Sequence, residues 1–160
     1  MQNSRFKLIA IDPDVKKSGV AIYDGKDMSL IDMNLWEVFD ELKLYRGQTG
    51  YLVIIEAGWI NKDGSEKKNK SFVAGGKGSA YDVGRNAEVG RQIEKLCKAY
   101  DINYRLMQPQ GYSDKKWTHE VFCKHVGIEF KRTNPETRVA GLFAYDYYNL
   151  FSKINTKKCK

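Results

Sequence analysis

Cysteine in pairs is missing. The three cysteines, Cys97, Cys123 and Cys159, are odd in number, far apart and never spaced CxxC, which argues against a disulfide framework or a zinc knuckle and points to a reducing cytoplasm. Long apolar runs are missing too: residues 1–6 are too polar for a signal peptide, and the run after them is broken by Asp12, so no membrane span or membrane partner is expected. There are no internal repeats and no break in composition along the 160 residues, so one domain is expected over 1–152, with a basic, frayed tail over 153–160. Histidine is scarce, and His119 and His125 have no acid at metal-ligand spacing, which leaves them surface or structural residues. Acid is outweighed by base, 20 Asp and Glu against 27 Lys and Arg, for a formal charge of +7. That imbalance favours an acidic partner such as nucleic acid, with plain solubility as the alternative.

What is present centres on residues 8–24. Four apolar residues, Leu8-Ile9-Ala10-Ile11, run into Asp12; a turn with Pro13, Asp14, Ser18 and Gly19 follows, and a second apolar run begins. The pattern predicts a hairpin whose first strand is buried on both faces and ends in a carboxylate. Core packing has no use for that carboxylate, since a buried acid is costly unless paired, hydrogen-bonded or bound to a cation. By itself Asp12 could simply cap the turn. A second strand of the same kind, Tyr51-Leu52-Val53-Ile54-Ile55-Glu56, also ends on an acid. Two buried strands delivering carboxylates to one edge have the layout of a metal site.

Between these strands the pattern predicts a third strand over 28–34 and an amphipathic helix over about 35–45, stopped by Gly47 and Gly50. A strand that follows a helix should run parallel to the first strand by a right-handed crossover. Residues 57–82 dissolve into Gly, Ser, Asn and Lys. Lys62, Lys67, Lys68, Lys70 and Lys77, with Arg85 just beyond, suit either a solvated flap or an arm that follows a phosphate backbone. Order returns at Asn86, a plausible N-cap for a helix of about four turns. A short strand over 102–107 follows, then a loop with Pro109, Gly111 and Ser113. Trp117, Val121 and Phe122 should share one face of a short helix. Thr133-Asn134-Pro135-Glu136 is a strong helix start, and Val139, Ala140, Phe143, Tyr147 and Leu150 should form that helix's apolar face.

In order and spacing these parts resemble the RuvC family of Holliday junction resolvases, within the RNase H-like superfold. The resemblance runs from about Leu8 to Leu150. It rests on Asp12 in Ile-Asp-Pro-Asp-Val-Lys-Lys-Ser-Gly, on Glu56 in Val-Ile-Ile-Glu, and on the long helix after the loop. Gln108-Pro109 followed by Lys115-Lys116-Trp117, and the closing helix from Asn134-Pro135-Glu136, complete it. The fold it implies is α/β, a five-stranded mixed sheet with the first three strands antiparallel, flanked by helices.

The resemblance also implies a chemistry. Four acids of that family hold two Mg²⁺ ions, for which Mn²⁺ can substitute. Carried over, Asp12 would bridge both ions, with Glu56 on one and Glu136 on the other. The position three residues after Glu136 is Val139, which cannot ligate a metal, and Asp146, two turns further on and roughly 10 Å along the axis, is too far to replace it. Asp14 departs as well, from a typical glycine. Lys115 or Lys116 resembles the family's basic residue near the scissile phosphate; the plain alternative is a solvated helix start. Trp59 falls where the family places an aromatic that could stack on an unpaired base, though a Trp just after a buried strand also serves as a core plug.

The implied partners are branched DNA and a second copy of the chain, because a four-way junction is two-fold symmetric. The helix over 86–99, with its small residues Ala87 and Gly90, is the candidate dimer face, or else those small residues let it sit close to the sheet. The implied activity is paired nicking that leaves a 5′ phosphate and a 3′ hydroxyl, in a bacterial, phage or mobile-element setting. Two alternatives stand beside it: a junction-binding protein with a defective metal site, and a phosphotransferase or ATPase of the actin and sugar-kinase type. The last needs two lobes, and 160 residues supply one.

Overall fold

The computed structural model describes residues 6–67 and 77–157, the latter with backbone alone for 77–83 and 152–157. Five strands and four helices follow in the order β1 (Lys7–Asp12), β2 (Ser18–Tyr23), β3 (Met28–Met33), α1 (Leu35–Lys43), β4 (Tyr51–Glu56), α2 (Lys77–Ala99), β5 (Tyr104–Met107), α3 (His119–Val126) and α4 (Pro135–Lys157). They form one sheet in the order β3-β2-β1-β4-β5. β1, β2 and β3 pair antiparallel, whereas β4 runs parallel to β1 and β5 parallel to β4. This is the expected RNase H-like α/β architecture.

β1 is central, and its apolar run is covered on both faces. Alternation sends Ile9 and Ile11 to the side of α1 and α2, where they meet Val20, Val53, Ile55, Leu42 and Ile93. Leu8 and Ala10 face the other way, towards Phe122, Leu142 and Phe143 of α3 and α4. Each of these β1 side chains is at most 1 % exposed.

Local chemistry sets the helix starts. Asn34 and Glu37 form a reciprocal capping box on α1. At α4 the Asn134 Oδ1 accepts from the Thr137 N–H at 2.9 Å, Pro135 fills the first position, and Asn134 Nδ2 donates to Asp32 Oδ2 at 2.6 Å. That last bond ties the start of α4 to the end of β3.

Three sequence expectations are corrected. α2 begins at Lys77, well ahead of Asn86, which lies inside the helix; the glycines and polar residues of its first turns mask a helix in the sequence. Val121 is 45 % exposed while Phe122, Cys123 and Val126 bury, because α3 starts only after the Thr118 cap and turns Val121 outward. On α4, Leu150 is 52 % exposed, and Leu142 and Ala144 take core positions instead. The backbone of α4 also continues through Lys157, into the expected tail. Cys97 and Cys123 are buried free thiols, and burial pushes Cys97 up to about 12; Cys159 lies outside the described residues. No helix among the described residues is long and apolar enough to cross a membrane.

Candidate functional site

Asp12 and Glu56 end neighbouring parallel strands. The register pairs Ile11 with Ile55, so the next residue of each strand places the two acids side by side at the carboxyl ends. In open α/β sheets this edge is where ligands bind. Burial, reinforced by the Glu56 carboxylate and then by Glu136 and Asp14, pushes Asp12 well above the usual carboxylate range. Burial raises Glu56 too, and a hydrogen bond from Asp12 partly offsets that rise. Burial and the facing carboxylates therefore both disfavour charge on Asp12. The second Glu56 oxygen, Oε2, is buried without a hydrogen-bond partner among the described residues.

Glu136 reaches this edge from α4, and a glycine makes its approach possible. Gly19 is the β2 partner of Asp12. A Cβ on Gly19 would lie 2.2 Å from the Glu136 carbonyl carbon and oxygen and 2.6 Å from the Thr137 nitrogen. The first turn of α4 thus rests on the bare backbone of β2, next to the Asp12 strand. A glycine inside a strand signals this kind of close backbone approach, and Gly19 is the site-building residue that reading the acids alone overlooked.

Beside the acid pair opens a cleft of about 190 Å³, lined by Asp12, Pro13, Glu56, Gly58, Trp59, Asn86, Ala87 and Pro109. Glu136, Lys115 and Lys116 are not among its lining residues. The two lysines are exposed on the loop before α3, with the Lys116 ammonium 6.0 Å from the Trp117 ring centre. Trp59 is only 2 % exposed. Its ring abuts Gly90 of α2, where a Cβ would sit 2.5 Å from it, and the Arg91 guanidinium lies 5.6 Å from the ring centre. Trp59 is thus a core plug with no face open for a base to stack on. Ala87 and Gly90 are buried, so these small residues serve the packing of α2, while Glu88, Gln92, Lys95 and Lys98 form its exposed face.

The loop after β4 is more built than its composition suggests. Ile60 bridges to Glu66, the Asn61 N–H donates to the Ser65 carbonyl at 2.7 Å, and Gln108 Nε2 donates to the Ile60 carbonyl at 2.8 Å. Lys67 Nζ donates to the Gly58 carbonyl at 2.8 Å, so this lysine braces the loop rather than extending from it. Lys62 and Arg85 are exposed. Lys68 and Lys70 lie outside the described residues, as does the side chain of Lys77.

Val139 is half-buried against the apolar cluster between sheet and α4. Asp146 is engaged elsewhere, accepting from the Tyr112 hydroxyl at 2.8 Å and lying 3.0 Å from His125 Nε2. It takes no part at the acid edge. His119 Nδ1 meets Thr133 Oγ1 at 2.9 Å, a structural contact as expected.

Among the described residues no group of three or more His, Cys, Asp or Glu side chains stands close enough to hold a metal ion. The Asp12–Glu56 pair nonetheless fits a hard divalent cation. Two buried carboxylates, both pushed towards the neutral form by burial and one with an orphaned oxygen, are what an oxygen-coordinated cation relieves.

Fold and acid edge together define an RNase H-like domain with a carboxylate pair at the ends of two parallel strands. No family model matches the chain, and no curated protein matches it in sequence. In structure it is similar to Thermus thermophilus RuvC, solved in complex with a Holliday junction substrate, with a TM-score of 0.54 at 12% sequence identity. The match covers 92% of this chain and 96% of that one.

Proposed function

We propose that the chain is a divalent-metal-dependent endonuclease that resolves four-way DNA junctions by paired nicks. The observation that carries this reading is the buried Asp12–Glu56 pair, with its orphaned Glu56 oxygen, at the carboxyl ends of β1 and β4. Asp12 and Glu56 would hold the cation, and Glu136, on the first turn of α4, would be the third acid. A divalent ion such as Mg²⁺ or Mn²⁺ held there would supply an activated water and a counter-charge for the leaving 3′ oxygen. Products are a 5′ phosphate and a 3′ hydroxyl. Lys115 and Lys116 offer fixed positive charge to the phosphate as negative charge develops on it. Lys62, Lys68, Lys70, Lys77 and Arg85 follow the DNA backbone; Trp59 and Lys67 do not belong to that set. The similarity in fold to a protein solved on a Holliday junction supports the substrate class, and a homodimer matches the two-fold symmetry of such a junction.

A second reading keeps the DNA and drops the chemistry. Val139, packed on hydrocarbon where an acid is expected, favours it. The deciding measurement is cleavage of a synthetic four-way junction with Mg²⁺ or Mn²⁺ by wild type, Asp12→Asn and Val139→Asp. Cutting by wild type that is lost in Asp12→Asn supports the nuclease. An inert wild type whose Val139→Asp variant cuts identifies a junction binder. In either case log affinity for the junction should fall linearly with log salt concentration, through release of counterions.

A further inference from the structure

The turn that follows Asp12 is held from two directions. Within the turn, Asp14 Oδ1 accepts from the Lys16 N–H at 2.8 Å and the Lys17 N–H at 3.4 Å, and the Asp14 N–H donates to the buried Ser18 Oγ at 3.2 Å. From α2, Asn86 spans the gap with both ends of its amide. Its Oδ1 accepts from the Val15 N–H at 3.0 Å, and its Nδ2 donates to Asp14 Oδ2 at 3.1 Å. Asn86 also lines the cleft beside Asp12 and Glu56. One helix turn further along, Gly90 lets α2 approach Pro13, whose Cγ would be 3.2 Å from a Cβ at that position.

A turn this short needs no contact from a distant helix to close, because Asp14 and Ser18 already satisfy it locally. The added bonds from Asn86 instead fix where the whole turn sits relative to α2, and hence where the end of β1 points. We propose that Asn86 and Asp14 are positioning residues, a hydrogen-bonded clamp between α2 and the β1–β2 turn that holds the Asp12 carboxylate against Glu56 for metal binding. The proposal rests on the nuclease reading above and deepens it. It also gives the Asp14 carboxylate a use, as the acceptor that α2 grips. Outer-shell partners of this kind govern metal affinity because they set the orientation of the ligands they hold.

The clamp has a diagnostic symmetry. Exchanging its two side chains, Asp14→Asn with Asn86→Asp, keeps every bond. The carboxylate moved to α2 still accepts from the Val15 N–H, and the amide moved to the turn still accepts from the Lys16 N–H and donates across the gap. Each single substitution breaks the pattern: Asn86→Asp sets two carboxylates face to face, and Asp14→Asn sets one amide against another. The experiment is calorimetric titration of the full chain with Mn²⁺ in the absence of DNA, together with hydrogen exchange at the Val15 amide.

Both single variants should bind Mn²⁺ about tenfold or more weaker than wild type and exchange the Val15 amide faster. The exchanged pair should return both readouts to near the wild-type values. If a single variant does not fold, the exchanged pair alone carries the test: it must fold and bind as wild type does. Single variants that bind Mn²⁺ within twofold of wild type overturn the clamp and leave the nuclease reading intact, as does an exchanged pair that remains as weak as the singles. A wild-type chain that takes up no Mn²⁺ overturns both.

Discussion

The two sides of the sheet meet the acid edge through the same device and with opposite tolerance. On one side α4 settles on β2 at Gly19, and what fills the missing Cβ position is the Glu136 backbone, carbon and oxygen at 2.2 Å. On the other side α2 settles over the edge at Gly90, and what fills the space is the Trp59 ring at 2.5 Å with the Pro13 ring behind it. Backbone against backbone cannot yield without moving a helix, whereas a ring can tilt. The α4 side therefore sets the position of Glu136 rigidly, while the α2 side fits by packing and adds the Asn86 hydrogen bonds to fix its position. This edge is assembled from two layers with one glycine at each approach, and the atom opposite each glycine decides how much error it absorbs.

The acids at the junction of the two layers should show the largest effect. Asp12→Asn is expected to lower junction cleavage by more than the roughly hundredfold that outer-shell losses reach, measured as single-turnover rates with Mg²⁺, while DNA binding at fixed salt persists. Retained cleavage would remove Asp12 from the metal and break the comparison at its centre.

The glycines test the asymmetry directly. Each Ala substitution should cost about 1–3 kcal/mol by overpacking, read from denaturant midpoints. Gly19→Ala should additionally weaken Mn²⁺ binding and cleavage beyond what Gly90→Ala does, because it displaces the turn bearing Glu136. Equal losses of metal affinity in the two variants would mean that the atom opposite the glycine does not matter.

Stability against pH sharpens the role of the pair itself. Asp12 holds its proton more tightly in the folded chain than in the unfolded one, because burial and the Glu56 carboxylate disfavour its charge. The folded state then binds more protons, so stability falls as pH rises. The contribution is complete only below the ordinary carboxylate value and is lost progressively as pH rises from there towards the folded-state value of about 9. Thermal melts of the metal-free chain should show this decline, Asp12→Asn should flatten it, and Mn²⁺ should reverse it. A flat profile in the wild type would mean that the pair is not buried as described.

The smallest effect is a control on the α3–α4 side. Gly127 ends α3 with φ 69° and open space around its Cβ position. Gly127→Ala should cost about 1–2 kcal/mol through the left-handed backbone alone and leave Mn²⁺ affinity unchanged, in contrast to Gly19→Ala on the same layer.

The strand acids were legible because period-2 alternation and a terminal carboxylate are local signals: Leu8-Ile9-Ala10-Ile11-Asp12 and Leu52-Val53-Ile54-Ile55-Glu56 carry their meaning within a few residues. The start of α4 was equally local, with Asn134 and Pro135 announcing it. The start of α2 was not, since its glycines and polar residues have poor helix propensity and tertiary packing overrides that preference. Asn86 resembled a cap because an amide before an apolar-periodic run is a capping pattern; its partners, Val15 and Asp14, are remote in sequence and invisible to any local window. Trp59 could be read either as a stacking platform or as a plug, and burial under α2 settled that.

By itself the sequence determined the element order, the two strand-end carboxylates and the excess of positive charge, all consequences of residue type and short-range spacing. Only the tertiary structure decided that Gly19 admits α4 to the Asp12 strand, that Asn86 grips the turn, that Trp59 buries and that Val139 packs half-buried on hydrocarbon. Those outcomes depend on which surfaces meet across the sheet, and close approach between layers is a property of pairs of distant residues that no single stretch of chain contains.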